Sequence, residues 1–345
     1  MKVKLGSVAR LMASTSLIAA GMMAIGVNAH GNVDLAAEIA ARQDYSQSNS
    51  MNLAHCAAQL QEQGILGQAV DRRVAKYQQY SKLFARDIEE VLNTDHEITD
   101  GSITIDSPDS EIFATRDDGC VLSIETTEGP FYVEGEYVRW DLTDGEPGIV
   151  MYMDIQIIDT ETCKPIPDVW VEVWHANATG VYSGIVSDAN GAGKADPSNA
   201  LTTFHRGLQK TNAEGAVWFG SKFPGHYPGR SPHVHVMTHA EGAAPLPNGT
   251  IQNNVATHAG QFFFDQELVG RVRGDALYAS NAQPFLENRD DAYFHQEAEF
   301  TDPVMSYVML DHEERDIAGG IMAWKLVGVN MTYARELRVA GTLLG

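Results

Sequence analysis

Cysteine is nearly missing from this chain: Cys56, Cys120 and Cys163 are all that its 345 residues hold. Three thiols allow at most one intramolecular disulfide and leave one over, which excludes a fold stapled by several bridges. Positive charge is also scarce, 24 Lys and Arg against 46 Asp and Glu, for a net charge of −22. Residues 1–29 carry Lys2, Lys4 and Arg10 and no acid, so the chain from His30 onward stands at −25. Such acidity argues against nucleic acid and anionic membrane surfaces as partners, because both would repel it. Past the first thirty residues no stretch looks able to cross a bilayer, and no internal repeat is evident.

The one long apolar run lies at the start, from about Leu11 to Val27, behind those three cations. It is broken by Ser14, Thr15, Ser16 and several Gly and Ala, and falls short of the roughly 20 strongly apolar residues that a membrane span needs. Val27-Asn28-Ala29 has the small-x-small form of a signal-peptidase site, so residues 1–29 read as a secretory signal peptide, with a membrane anchor as the competing reading. The expected location is secreted and extracellular, without membrane contact once the signal is removed. In an oxidising compartment the expected disulfide joins Cys56 to Cys120, tying an N-terminal arm to the start of the main domain, although spacing does not prove connectivity. Asn177-Ala178-Thr179, Asn248-Gly249-Thr250 and Asn330-Met331-Thr332 are sequons, as a secreted glycoprotein would carry.

Residues 30–95 read as a helical arm. Leu53, Cys56, Ala57 and Leu60 recur at helical spacing, Val74, Tyr77, Phe84, Ile88 and Val91 continue the stripe, and Gly64 and Gly67 divide it. This amphipathic arm is expected to be able to pair with a second copy, giving a homodimer. Residues 96–120, rich in Asp, Ser and Thr, read as a linker or wrapping loop. From 121 to 335 the pattern changes to short alternating runs between Gly and Pro turns, as in a mainly β fold: an antiparallel β-sandwich, with 336–345 as a C-terminal tail. Strands are expected at Ile149 to Ile157, Val169 to Trp174, Ala216 to Phe219, His233 to Met237, Gln261 to Phe264 and Ile321 to Val329. Ala200 to Gly225 reads as a hairpin about an Asn212 to Gly215 turn, delivering Tyr227 from a loop at a sheet end.

The chemistry concentrates in Tyr227-Pro228-Gly229-Arg230-Ser231-Pro232-His233-Val234-His235. Side chains alternate along a strand, so His233 and His235 share one face and can grip a single metal ion, with Val234 opposed. Tyr182 is a second candidate phenol beside Tyr227. A phenol titrates near pH ~10 and becomes a good ligand only where a strongly Lewis-acidic ion strips its proton, which favours ferric iron over zinc.

These residues resemble the intradiol ring-cleavage dioxygenases, the family of protocatechuate 3,4-dioxygenase and catechol 1,2-dioxygenase, and most of all their secreted fungal branch. The resemblance runs through Thr127-Glu128-Gly129-Pro130-Phe131-Tyr132, Val171 to Asn177, Gly180-Val181-Tyr182, Pro224-Gly225-His226-Tyr227, Arg230 to His235 and Gly260 to Phe264, in that order. It implies a non-haem iron(III) held by Tyr182, Tyr227, His233 and His235, with Tyr227 the ligand that leaves when substrate binds. It further implies cleavage of a small aromatic diol between its hydroxylated carbons, with both atoms of O2 incorporated. Iron(III), two tyrosinates and one hydroxide sum to zero, so such a centre adds no uncompensated charge to a buried cavity. Arg230 is implied to stabilise negative charge on the substrate, Gln261 to orient the same region, and Gly129 to Phe131 to form a pocket wall.

The chain also departs from the family. Tyr227 and His233 are close together, where bacterial members carry a longer insert, so the resemblance implies a more open pocket. Ala176 stands where many fungal relatives have Cys, which implies an unpaired Cys163. His175, His205, His226, His239 and His258 are expected around the centre or at the surface. Two other readings compete: a non-catalytic transthyretin-like binding module, which needs none of the four ligands together, and a zinc hydrolase, for which no third ligand and general base appear at a fitting spacing.

Overall fold

The computed structural model describes residues 50, 52–81, 120–121, 129–239, 245–251, 255–298, 301–310 and 316–343. The signal-peptide segment 1–29, the arm beyond residue 81, nearly all of the 96–120 linker and Thr127-Glu128 lie outside them. Among the described residues no helix is long and apolar enough to cross a membrane.

The strands, in chain order, are β1 (Cys120–Val121), β2 (Val133–Glu134), β3 (Glu136–Tyr137), β4 (Val150–Asp159), β5 (Trp170–Trp174), β6 (Arg206–Lys210) and β7 (Ala216–Lys222). They continue as β8 (His233–His239), β9 (Thr250–Ile251), β10 (Val255–Phe263), β11 (Ser306–Met309), β12 (Ile321–Val329), β13 (Arg335–Glu336) and β14 (Gly341–Thr342). One five-stranded sheet has the order β1-β12-β4-β7, with β11 beside β12; the other has the order β13-β10-β8-β5-β6. The second sheet is antiparallel throughout, whereas β12 runs parallel to both β1 and β4 in the first. The expected antiparallel sandwich is therefore mixed in one of its layers.

Period-two patterning decides what lies between the layers. Met151, Met153, Ile155 and Ile157 of β4 join Val171 and Val173 of β5, Val234 and Val236 of β8 and Phe262 of β10 in one buried cluster. Each such side chain contributes about 1.5–3 kcal/mol by leaving water, so this shared face sets the register of both sheets. The alternate positions of β5, β8 and β10, among them Trp174, His233, His235 and Gln261, are thereby turned to the opposite face of the second sheet.

The arm is helical where described, as α1 (Ala57–Glu62) and α2 (Ile65–Ser81), broken at Gly64, whose φ is +69°, while α3 (Gln266–Gly274) and α4 (Ala276–Ala279) follow β10. The buried apolar residues of the arm's described part pack within the chain. Leu53, Cys56, Leu60 and Ile65 pack with Ile158 and Leu326, and Val70 and Tyr77 with Val308, Met322 and Trp324. Arg72 donates twice to the buried Asp154 of β4, at 2.8 and 3.0 Å. The disulfide is Cys56 to Cys163, not Cys56 to Cys120, and Cys163 is not left free. The reason is placement: Cys163 stands on the turn after β4, against which the arm rests, with Gln59 donating to the Thr162 carbonyl at 2.6 Å. Cys120 opens β1, paired to Val327.

The turn at Asn212 to Gly215 forms, with Gly215 N–H donating to the Asn212 carbonyl at 2.9 Å, but no hairpin surrounds it. β6 belongs to the second sheet and β7 to the first, so the turn carries the chain across the sandwich. The segment read as a tail is built in: β13 pairs with β10, β14 pairs with β2, and Leu337 and Leu343 are buried.

Candidate active site

Four segments meet on the outer face of the second sheet. His233 and His235 stand on β8, with Nε2 atoms 3.2 Å apart. His233 Nδ1–H donates to the Ser231 carbonyl at 2.7 Å, which leaves its Nε2 lone pair facing the centre. Tyr182 Oη lies 3.2 Å from that Nε2. The His235 ring is stacked on Trp174 of β5, 4.7 Å between centroids and 3° between planes. Tyr227 meets Tyr182 edge to face at 5.4 Å, and its ring centroid is 5.6 Å from that of His233. None of the four is more than 2% exposed.

Two loops have to come very close for this to happen, and glycine permits it. A Cβ on Gly180, two residues before Tyr182, would stand 2.1 Å from the His226 carbonyl oxygen. A Cβ on Gly225, two residues before Tyr227, would stand 2.3 Å from that of Ala178. The buried Asn190 then clamps Tyr182, accepting its N–H at 2.7 Å and donating to its carbonyl at 2.8 Å; Asn199 donates to that carbonyl at 2.8 Å. Arg206 donates to the Ser183 carbonyl at 2.9 Å and to the Phe131 carbonyl at 2.7 Å, joining the Tyr182 loop to the 129–132 segment. Phe131 is stacked on Tyr182 at 4.6 Å and edge-on to Tyr227 at 5.7 Å.

Arg230 is fully buried. Its Nη1 donates to Tyr227 Oη at 3.3 Å, its Nη2 to Gln261 Oε1, and its Nε to Asp291 at 3.0 and 3.2 Å, while Tyr293 lies beneath the guanidinium at 4.4 Å. With the carbonyl of Gln261 occupied, its buried amide Nε2 has no hydrogen-bond partner among the described residues and is a spare donor at the site. Burial raises the Tyr182 phenol well above its ordinary range, and nearby Tyr227 adds to this. Burial also raises Tyr227, against the pull of Arg230.

All six residues singled out in the sequence, Tyr182, Tyr227, Arg230, Gln261, His233 and His235, are thus brought together. Two imidazoles and two phenols converge with no carboxylate among them. Their own surroundings keep the phenols protonated, so only a strongly Lewis-acidic cation could take them as anions. That donor set fits iron(III) and does not fit the carboxylate-rich preference of calcium or magnesium.

Phe131 lies against both tyrosines, and the 288–294 segment covers Arg230. The other histidines are buried rather than at the surface. His175 and His205 stack at 4.6 Å and share Ser221 Oγ of β7 at 2.8 and 3.2 Å, linking the two sheets. Sequence reading missed Trp174 as the partner of His235, Asn190, Arg206 and Asp291. Asp291 precedes α5 (Ala292–Ala298) and bears a helix-cap signature, since it accepts the Tyr293 N–H at 2.8 Å, but nothing local signals its reach to Arg230.

No family model matches the chain. A catechol 1,2-dioxygenase of Acinetobacter baylyi is 30% identical over 147 residues, which cover 38% of this chain and 45% of that protein. A catechol 1,2-dioxygenase of a Pseudomonas species is 41% identical over 63 residues, 17% of this chain and 20% of that one. The chain thus spans less than half the length of the curated relatives it matches. Among solved structures, an intradiol ring-cleavage dioxygenase from Tetranychus urticae superposes with a TM-score of 0.50 at 27% identity, covering 62% of this chain and 97% of its own.

Proposed function

We propose that the chain is an intradiol ring-cleavage dioxygenase, as its similarity to catechol 1,2-dioxygenases and to the Tetranychus urticae enzyme supports, and that it opens an ortho-diphenol between its two hydroxylated carbons, incorporating both atoms of O2. Tyr182, Tyr227, His233 and His235 would hold a non-haem iron(III). The observation that carries this reading is the convergence of two phenols and two imidazoles at one buried point, with Tyr182 Oη and His235 Nε2 each 3.2 Å from His233 Nε2. When bound, the ferric ion would supply Lewis acidity that draws electron density from a chelated catecholate and opens it to dioxygen.

The remaining work falls to side chains. His233 offers Nε2 because its other nitrogen is committed to Ser231. Tyr227 Oη, which Arg230 already hydrogen-bonds, is the phenol suited to accept a substrate hydroxyl proton and yield its place, acting as ligand and base in turn. Arg230 carries a permanent charge with which to stabilise anionic character on the ring, and the free amide of Gln261 can donate to a substrate oxygen. Phe131 supports an aromatic substrate, since a flat ring can replace it or stack beside it. Catechol, hydroxyquinol and related diphenols all meet these requirements.

Iron analysis together with visible spectroscopy tests the proposal. The protein reconstituted with ferric salt is expected to bind iron, to show tyrosinate-to-iron charge-transfer colour, and to convert a catechol to a muconate-type dicarboxylic acid with oxygen uptake. His233→Ala is expected to lose both iron and colour. A colourless, iron-free wild type, or a yellow semialdehyde product, overturns it.

Secretion belongs to the same proposal. It is supported by the leader pattern, by the Cys56 to Cys163 disulfide, which suits an oxidising compartment, and by the exposed Asn248 sequon. An exported protein that still carries residues 1–29 counts against it, as read by N-terminal sequencing.

A further inference from the structure

Arginine has a long stem, and an unrestrained guanidinium would sample many positions around Tyr227, with an entropic cost to order it. Arg230 does not have that freedom. Its Nε edge rests on Asp291 and its face on Tyr293, so only the two terminal nitrogens are left to address Tyr227 and Gln261.

We propose that Asp291 is the positioning residue of this site, aiming Arg230 at Tyr227 and Gln261 and at the same time fixing the backbone that orients His233; the proposal rests on the function argued above. Asp291 is fully buried. Its Oδ2 accepts the Arg230 Nε–H at 3.0 Å, the Ser231 N–H at 2.8 Å and the Ser231 Oγ–H at 3.2 Å. Its Oδ1 accepts the Tyr293 N–H at 2.8 Å and the Phe294 N–H at 3.2 Å, which anchors the carboxylate to the first turn of α5. The Ser231 so held is the residue whose carbonyl takes the His233 Nδ1–H. One carboxylate therefore ties α5, which lies beyond β10, to both the cation and an imidazole of the centre. It also cancels the charge of Arg230 where there is little water to do so, an arrangement in which losing one partner is far worse than losing both.

A double-mutant cycle tests the proposal, using D291N, R230M and the two together. In the iron-loaded enzyme D291N is expected to retain its iron and to lose about 100-fold in kcat, the cost of a group misplaced by ~1 Å, with a smaller change in KM. In the R230M background D291N is expected to cost far less in kcat than it does in the wild type, only the part that acts through Ser231 and His233. Losses that multiply in the double variant would mean that Asp291 does not act through Arg230, and the proposal falls. The second readout needs neither iron nor turnover. In the metal-free protein each single variant is expected to lower the denaturation midpoint more than the double variant does. Additive shifts overturn the pairing. D291S, which keeps a cap acceptor without the charge, replaces D291N if that variant does not fold, with the same outcomes. A wild type that binds iron but cleaves no catechol defeats the functional reading alone, and the metal-free cycle still decides whether Asp291 and Arg230 are coupled.

Discussion

Gly180 and Gly225 determine how near the two tyrosines can come. Both backbones run against a carbonyl of the other loop, and Gly180 also sits at φ +80°, where a Cβ is strained even in open space. Gly180→Ala combines overpacking with backbone strain and is expected to cost about 3 kcal/mol of unfolding free energy, read from denaturant titration. Ferric binding should weaken with it, because Tyr182 is displaced from His233. Unchanged iron affinity would mean that the loops tolerate a wider gap. The convergence of His233 with His235 was legible in the sequence because strand alternation puts them on one face whatever the fold. Asp291 was not legible, since its short-range pattern announces a helix cap and its partner Arg230 is brought to it only by the tertiary fold.

The strands were legible as elements but not as sheets. Ile321 to Val329 forms a strand over that same span, yet period-two patterning does not say which neighbour it takes, and the Asn212 turn joins two layers rather than two paired strands. For the same reason the spacing of three cysteines could not choose Cys163, whose proximity to Cys56 depends on where α1 lands. The bridge and the Leu53, Leu60 and Ile158 cluster jointly hold the arm. Replacing Cys56 and Cys163 together by Ser is expected to lower stability by about 2–4 kcal/mol. Amide exchange should rise first over residues 53–62. If protection there is kept, packing alone secures the arm.

Buried ionisable groups outside the centre give the whole molecule a stability optimum in pH. Burial raises Glu172 from an ordinary 4.5 to about 8, and Glu136 rises as well, chiefly by burial and then by its proximity to Glu172. The folded protein therefore binds more protons than the unfolded chain between those limits, and stability falls as the pH rises through them. Burial lowers His175 and His239 from 6.5 to about 4, so stability is lost as the pH falls through that window. His205 and His226 shift the same way and outnumber the acids below 6.5, which puts the maximum near pH ~6.5. Thermal melts of the metal-free protein should show it, and Glu172→Gln should flatten the alkaline limb. An alkaline limb of undiminished slope in that variant would assign it elsewhere.

The parallel pairing of β12 has a further consequence, for the time at which this molecule can exist at all. β12 is inserted between β1 and β4, pairing Val327 with Cys120 and Ile321 with Met151, so the middle of the first sheet is filled by a strand far downstream of both neighbours in the sequence. Until β12 arrives β4 has an open apolar edge and the second sheet lacks half of its support. Folding must wait for β12, and pairing this distant in sequence is slow. A polypeptide that stays unfolded until β12 has emerged is also one that can be threaded through a translocation channel before Tyr182, Tyr227, His233 and His235 are brought together.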